Sequence, residues 1–198
     1  MANTNAPFGF RYIGLKDGSP GNFGIYTGRI AQANTNKIFT GDVLKPVSGG
    51  YFDVQTESSP GSTGEATGGI ALGFSWVSST FGCRIWRPYW PGSGDATGVV
   101  DVRVAMHPDA LFQVQCLLGP VGLTTVGQTV NFAAGAGGNT GSGISSMSID
   151  DGTLGNTTAE PFKVWAIPGL GQPNSNLPTD PTLAYNIVTV CFNNLTSV

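Results

Sequence analysis

Short apolar segments alternate with turn residues along this chain, and no segment of ten or more residues places its apolar side chains at the helical period. The chain contains 30 glycines and 13 prolines, which break helices and favour turns. Many short strands at roughly regular spacing are typical of an all-β sandwich or barrel. The sequence therefore predicts an all-β fold with long Gly/Pro-rich loops.

The individual strands are predicted from alternating or β-branched runs between turn signals. The predicted strands cover residues 25–31, 38–47, 51–55, 69–78, 82–90, 99–106, 111–118, 161–170 and 185–194. A Gly-Gly turn joins the second and third strands, Pro46 favours an edge position or a bulge, and Gly73 predicts a bend. The turn at His107 is expected to join residues 99–106 and 111–118 into a hairpin.

The first twelve residues, 1–12, form a predicted extended N-terminal arm, and residues 13–198 form a single β domain. Pro7 fixes its own backbone and disfavours helix at the residue before it. Phe8 and Phe10 are two residues apart, so both rings share one face of an extended chain. Phe8, Phe10 and Arg11 are therefore candidate contact residues. The alternative is that both rings pack on the chain's own domain.

A second candidate site is the aromatic cluster in the stretch RIWRPYWP, residues 84–91. Trp86, Tyr89 and Trp90 have the composition of a sugar-stacking platform, or of a cation–π site with Arg84 or Arg87. Aromatic residues together with arginine also concentrate at the centres of protein–protein contacts. We favour a subunit contact or the protein core over ligand binding for these three aromatic residues.

Charged residues make up only 11% of the chain, against about 25% in typical soluble proteins. A compact monomer of 20.5 kDa exposes about 8,900 Å² of surface, or about 420 Å² for each charged residue. The solubility of a lone domain normally depends on surface charge. We therefore infer that much of the surface contacts other protein.

The same composition argues against several partners and compartments. The net charge is −3 and the nine basic residues are scattered, which argues against nucleic-acid binding. The sequence contains no run of 18 apolar residues, so no membrane span is predicted. The N-terminus lacks the basic and apolar regions of a secretory signal. Cys83, Cys116 and Cys191 are expected to be buried and reduced, as in a cytoplasmic protein.

Nothing in the sequence selects catalytic chemistry. His107, the single histidine, lies in a predicted turn, and no Gly-x-Ser-x-Gly motif is present. One histidine and three separated cysteines argue against a zinc site, and residues 150–152 predict a turn rather than a calcium loop. A glycosidase would need two suitably spaced carboxylates. The acidic residues available for such a pair are Asp42, Asp53, Asp95 and Asp101, and no pair among them stands out. We predict no enzyme activity, no cofactor and no metal.

Several motifs occur in a fixed order along the chain: NAPFGFR, IFTGDVLKPV followed by GGYFDV, GIALGFSWV, YWPGSGDATG, VRVAMHPDALFQVQ, and a Gly/Asn/Ser loop before SSMSIDDGT. Each motif is a turn with alternating apolar residues, and their order is more specific than any one of them. Over about residues 5–195, this order resembles the capsid decoration, or cement, proteins of tailed bacteriophages. The proline-rich loop at 171–182 is longer than in that pattern.

The resemblance implies a β-rich homotrimer on the outer capsid surface of a virion, assembled in the host bacterial cytoplasm. Its partners would be the major capsid protein and further copies of itself, and it would clamp neighbouring capsid subunits against the outward push of packaged DNA. A jelly-roll-like sandwich is favoured over a smaller barrel. The arm with Phe8 and Phe10 is expected to insert into a groove on the partner.

Three rival functions stay open on the sequence. A carbohydrate-binding or host-attachment module of the virion, with weak contact to host-surface glycans, would use the aromatic cluster as its platform. A virion glycosidase would need the carboxylate pair. The shell-forming capsid protein of tailed phages is larger and has a long helix, which this sequence does not predict. We rank the cement protein first and the attachment module second.

Overall fold

A computed structural model describes residues 3–56, 67–135, 137–169 and 180–193. This part of the chain contains two 3-10 turns, Gly21–Gly24 and Leu123–Thr125, and no α-helix. The strands are β1 Arg11–Leu15, β2 Ile25–Ile30, β3 Ile38–Phe39, β4 Val43–Val47, β5 Tyr51–Val54, β6 Gly69–Val77, β7 Arg84–Arg87, β8 Tyr89–Trp90, β9 Val100–Ala105, β10 Ala110–Gln115, β11 Thr129–Ala133, β12 Ser148–Gly155, β13 Phe162–Ala166 and β14 Ile187–Phe192. The all-β prediction is confirmed.

Two predicted loops fall largely outside the described residues, namely most of 59–69 and most of 171–182. Within the part that the structure describes, no helix is long or apolar enough to cross a membrane.

Most strands belong to two antiparallel sheets that form a sandwich-like fold. Sheet A has the order β1-β10-β14-β13-β11-β12, so β14 is an interior strand between β10 and β13. Sheet B has the order β2-β9-β6-β4-β5, and β7 pairs with the end of β6 that β4 leaves free. A small third sheet joins β3 and β8.

The predicted hairpin over residues 99–118 is wrong, although both of its strands exist. β9 pairs with β2 and β6 in sheet B, whereas β10 pairs with β1 and β14 in sheet A. His107 does lie in a turn, since its backbone oxygen accepts the Ala110 amide at 2.9 Å, but this turn carries the chain from one sheet to the other. Alternation of apolar and polar residues shows that one face of a strand is buried. A strand in either sheet has such a face, so alternation does not show which sheet the strand joins.

Three local predictions are confirmed. β4 and β5 form a hairpin across the Gly-Gly turn, where both glycines have positive φ. Pro46 was predicted at an edge or a bulge: β4 lies between β6 and β5 and pairs regularly with β5, but its pairing with β6 ends at Leu44, so the edge position holds on that one side. The register of β6 against β9 shifts between Ala71 and Gly73, which places a bulge at the predicted bend.

Two consecutive strands near the start of the chain pair with two consecutive strands in its middle. β1 pairs with β10 in sheet A, and β2 pairs with β9 in sheet B. Consecutive strands of each pair therefore lie in different sheets of the sandwich. The two-sheet architecture agrees with the predicted sandwich, while a full jelly-roll topology stays a prediction.

Five phenylalanine rings form a cluster in the core on the inner face of sheet A. Phe162 and Phe192 are cross-strand partners with ring centroids 5.7 Å apart. Phe112 packs edge-on against Phe192 at 5.1 Å, and Phe132 packs edge-on against Phe162 at 6.4 Å. Phe10 stacks on Phe162 at 4.5 Å. Aromatic pairs in these geometries stabilise beyond their buried area, so the cluster ties the N-terminal segment to four strands of sheet A.

The predicted burial of the cysteines is right for two of the three. Cys116 and Cys191 are buried, whereas Cys83 is exposed, and all three thiols are free. Burial raises the pKa of Cys116 to about 12, so this thiol stays protonated and behaves as a small apolar side chain. Cys83 differs because it lies in the bend before β7 instead of in an apolar run.

Phe162→Ala is expected to lower the free energy of unfolding by about 3–5 kcal/mol, because it removes a fully buried ring from the centre of the cluster. Denaturation in guanidinium chloride measures this change. Trp165→Ala, on the same strand, is the matched control: its ring is 46% exposed, so the expected loss is about 1 kcal/mol or less. Equal losses for the two variants would contradict the placement of Phe162.

Candidate interaction surfaces

The structure separates the three aromatic residues of the predicted cluster. Trp86 lies on β7 with its side chain 63% exposed. Tyr89 is half-buried and stacks on Phe39 with ring centroids 5.4 Å apart. Trp90 is fully buried, and its indole N–H donates to the backbone oxygen of Asn34 at 3.2 Å. Trp90 is therefore a core residue, and we withdraw it as a contact candidate.

The separation of these rings occurs at Pro88. β7 pairs with β6 in sheet B, whereas β8, which contains Tyr89 and Trp90, pairs with β3. Pro88 has no amide hydrogen with which to continue a ladder, and the chain changes partners at this residue. Neighbouring aromatic residues therefore belong to different sheets, and Trp86 faces solvent.

Trp86 ends a row of side chains across the outer face of sheet B. The cross-strand partners along this row are Arg29 with Asp101, Asp101 with Ser75, and Ser75 with Trp86. Residues directly opposite each other share a face of the sheet. Arg84 donates to Asp101 Oδ2 at 2.6 Å and to Ser75 Oγ at 3.0 Å. We call these five residues the Trp86 face; Arg84 bonds to Ser75 and Asp101, while the indole stays exposed.

The N-terminal segment lies along the domain instead of projecting from it. The Ala6 amide donates to Gln115 Oε1 at 3.0 Å, and the Gly9 amide donates to the Met147 oxygen at 3.2 Å. The amide of Phe10 is also bonded to the domain, at 3.0 Å. The described part of the predicted arm is therefore docked on its own domain, and its last two residues already belong to β1.

The chain is not extended at Gly9, although the shared face of Phe8 and Phe10 was predicted from an extended chain. The φ of Gly9 is +72°, a left-handed conformation that breaks the extended geometry on which the shared face depended. A Cβ at Gly9 would also lie 2.6 Å from Ser145 Cβ. Phe10 therefore enters the core, and we withdraw it as a contact candidate. Phe8 is half-buried and Arg11 is exposed, so both stay candidates.

An open groove of about 500 Å³ lies beside the start of β1. Its lining is mainly apolar and consists of Phe8, Phe10, Arg11, Tyr12, Thr40, Gly41, Leu72 and Ile144. Arg11 is the charged member of this lining, and its guanidinium has no hydrogen-bond or ion-pair partner among the described residues. We call this site the Arg11 groove. It brings together two predicted contact residues, Phe8 and Arg11.

A third surface was not predicted from the sequence. The connection between β10 and β11 exposes four apolar side chains, with Leu118 at 64% exposed. We call Leu117, Leu118, Leu123 and Val126 the leucine ridge. The sequence does contain a signal for it, because no residue between Asp109 and Asp150 is charged. An uncharged stretch with exposed leucines is typical of a contact surface.

Two polar side chains fix the backbone of the leucine ridge. The Asp151 carboxylate accepts the amides of Leu118 and Gly119 at 2.9 and 2.8 Å. The Asn186 side chain accepts the Val121 amide at 3.1 Å and donates to the Val121 oxygen at 3.0 Å. Asp151 lies within β12 rather than in the predicted turn. A ridge held in this way loses little further backbone freedom when it binds a partner.

The acidic residues considered as a glycosidase pair are engaged in structural contacts. Asp95 accepts hydrogen bonds from Thr80, Ser78 and Trp76, and these bonds hold the pKa of Asp95 well below its ordinary value. Asp53 accepts the side-chain amides of two asparagines, each at 2.9 Å, and Asp101 pairs with Arg84 in the Trp86 face. Among the described residues, no three His, Cys, Asp or Glu side chains are placed to hold a metal ion.

Comparison of the chain with protein-family models, with curated proteins and with solved structures found no match in any of the three. The sequence motifs and the geometry of the Trp86 face, the Arg11 groove and the leucine ridge are therefore the basis for a function.

The remaining acidic residue, Asp42, is buried in the turn before β4. Its Oδ2 accepts the Phe39 amide at 2.7 Å, and it also accepts a hydrogen bond from the Ser145 side chain. Burial raises the pKa of Asp42 to about 6, and these hydrogen bonds limit the rise. Its backbone oxygen accepts the Ala71 amide at 2.9 Å, so the residue links this turn to β6.

Asp42→Asn is expected to remove a pH dependence of stability. The unfolded chain releases the Asp42 proton near pH 3.8 and the folded chain near 6, so the protonated carboxyl favours folding at low pH and this contribution is lost as pH rises through 6. Between about pH 4.5 and 7.5 the loss is about 2 kcal/mol. Urea denaturation of wild type and variant at both pH values measures it, and the other carboxylates cancel in the difference. Identical pH dependence in the two proteins would contradict the raised pKa.

Proposed function

We propose that the protein is a virion structural protein that decorates and cements the outer surface of an icosahedral phage capsid. In this role it bridges neighbouring major capsid subunits against the pressure of packaged DNA, and it acts as a homotrimer that assembles in the host bacterial cytoplasm. The ordered motifs that resemble capsid decoration proteins support this proposal. The low content of charged residues also supports it, because the surface is poorly suited to a lone domain.

The observation that carries the proposal is apolar contact surface on both sheets of one small domain. The Trp86 face lies on sheet B, while the leucine ridge and the Arg11 groove adjoin strands of sheet A. Exposed apolar surface beside polar residues typically marks a protein–protein contact. A domain with separate contact surfaces can hold two neighbours at once, which is what bridging requires.

Bridging gives a preference for the assembled shell over free subunits. When two surfaces of one domain bind two subunits, the second contact forms at a high effective concentration that depends on the spacing of the subunits. A protein that binds only the intact shell stabilises it by the free energy of that binding. This role needs no catalysis, and we propose none, because the carboxylates considered for it are engaged in structural contacts.

We assign the leucine ridge to contact between copies of the chain. Each copy has a net charge of −3, so contact through charged surfaces would bring like charges together. The ridge lies in a stretch without charged residues, and the neighbouring Asp151 carboxylate is bonded to the amides of Leu118 and Gly119, so copies that meet there bring few like charges together. Burial of its leucines contributes about 25 cal/mol for each Å² of apolar surface removed from water.

One observation favours a second function, glycan binding by a host-attachment module. The exposed indole of Trp86 lies beside Ser75, Arg84 and Asp101. Sugar-binding sites combine an aromatic ring, which stacks on the apolar face of the sugar, with polar side chains that bond to its hydroxyls. The Trp86 face contains both, although Ser75 is buried and Arg84 is already bonded to Ser75 and Asp101.

Leu118→Glu is expected to convert the trimer to monomer, because it places three like charges at the proposed contact between copies. Sedimentation velocity measures the mass in solution. Val47→Glu, at an exposed position on β4, is the control and is expected to leave the trimer intact. A monomeric wild-type protein would contradict the trimer, and a trimeric Leu118→Glu variant would contradict the assignment of the ridge.

Trp86→Ala is expected to weaken binding to capsids of the parent phage about tenfold or more, as truncation of a central aromatic residue does at protein contacts. Co-sedimentation with capsids prepared without the protein measures this affinity. Trp165→Ala is the control. That ring is also exposed, but the Lys16 ammonium lies over it at 5.2 Å, so it is not a free aromatic surface and its loss is expected to leave capsid binding unchanged.

Failure of the wild-type protein to sediment with capsids would overturn the proposed function. Binding of the isolated protein to a glycan array that is lost in Trp86→Ala would favour the attachment module instead.

A further inference from the structure

We propose that the Arg11 groove binds an extended peptide segment of a partner protein, one that presents a bulky apolar side chain next to a carboxylate. The proposal concerns recognition by the isolated domain, so it does not depend on capsid decoration. Phe8 and Arg11 were predicted to belong to an arm that enters a partner's groove. In the structure they instead line a groove on their own domain.

The extended form of the ligand is inferred from the open edge of sheet A. β1 is the first strand of that sheet and pairs with β10 alone among the described strands. The unpaired backbone groups of an edge strand can bond to an added extended segment. The register of β1 shifts between Tyr12 and Gly14, and this bulge limits an added segment to the first residues of the strand. Those residues, Arg11 and Tyr12, line the groove.

The bulky apolar side chain is inferred from the volume and lining of the groove. A volume of about 500 Å³ is in the usual range for ligand sites and is large enough for an aromatic or branched side chain. Leu72 and Phe8 are half-buried and Ile144 is exposed, so they present apolar surface to a ligand. Burial of this surface would be the main favourable contribution to binding.

The carboxylate is inferred from the charge of the site. Arg11 is the charged residue of the lining, it is exposed, and it has no partner among the described residues. In contrast, Arg84 is bonded to Asp101. A guanidinium beside an apolar groove favours a ligand with a carboxylate, with which it can form two parallel hydrogen bonds.

The groove is fixed in shape before any ligand binds. The Phe10 amide donates to the Gly41 oxygen at 3.0 Å, and the Gly9 amide is bonded to the domain. Gly41 has a φ of +93°, and a Cβ there would lie 3.1 Å from the Phe10 nitrogen, so the two segments meet more closely than side chains would allow. A preformed site loses less conformational entropy on binding.

The test uses selection from a display library of random seven-residue peptides on the full chain. We expect the selected peptides to share a large apolar residue next to Asp or Glu. Synthetic copies are then measured by fluorescence anisotropy. Arg11→Gln is expected to weaken binding about tenfold, and replacement of the peptide acid by its amide is expected to have the same effect. Both changes remove the same interaction, between Arg11 and the peptide carboxylate. The two changes together should therefore weaken binding little more than either change alone.

Two further variants locate the site. Ile144→Glu places a negative charge on the groove wall and is expected to abolish binding, while Arg103→Gln, at an exposed position on sheet B, is the matched control for loss of an arginine. Arg11 and Ile144 are both exposed, and thermal unfolding verifies that the variants are folded. Selection of no common motif would overturn the proposal. So would peptides that bind Arg11→Gln and Ile144→Glu as tightly as wild type, because their site would lie elsewhere.

Discussion

Burial of apolar side chains holds this molecule together, including the five phenylalanine rings packed against sheet A, because covalent and ionic sources of stability are sparse in the described residues. They include no α-helix and no disulfide, and their two ion pairs are partly exposed, so each pair contributes about 1 kcal/mol or less. A fully buried phenylalanine contributes about 1.5–3 kcal/mol. The same burial decides the course of the N-terminal segment: Phe10 stacks on Phe162, which brings Phe8 and Arg11 to the groove.

Polar side chains in this protein mainly fix backbone and one another, and they leave apolar side chains at the surface. Asp151 and Asn186 hold the loop that exposes the leucine ridge, and Arg84 with Asp101 forms the rigid part of the Trp86 face. With few charged residues available, each contact surface relies on exposed apolar side chains, beside charged groups in the Trp86 face and the Arg11 groove. Stiff apolar surfaces bind with a small entropic cost, which suits a structural role.

The sequence predicts the structural features that depend on neighbouring residues, such as strand positions and bends. It does not predict the features that depend on pairing between distant strands. Alternation located most strands, and Gly73 and Pro46 showed where β6 bulges and where β4 stops pairing with β6. The same alternation did not show that β9 and β10 lie in different sheets. The change of partner at Pro88 and the conformation of Gly9 decided which of the predicted contact residues are buried. The leucine ridge was missed because its leucines lie in a loop with no strand pattern.

β14 is an interior strand of sheet A, between β10 and β13. A growing chain that stops short of residue 187 therefore leaves two strands facing a gap, each with the unpaired backbone groups that join one unfinished chain to another. Closure of the sheet requires pairing of residues far apart in sequence, which is slow. Synthesis of β14, rather than of any earlier motif, thus sets the earliest moment at which sheet A can close.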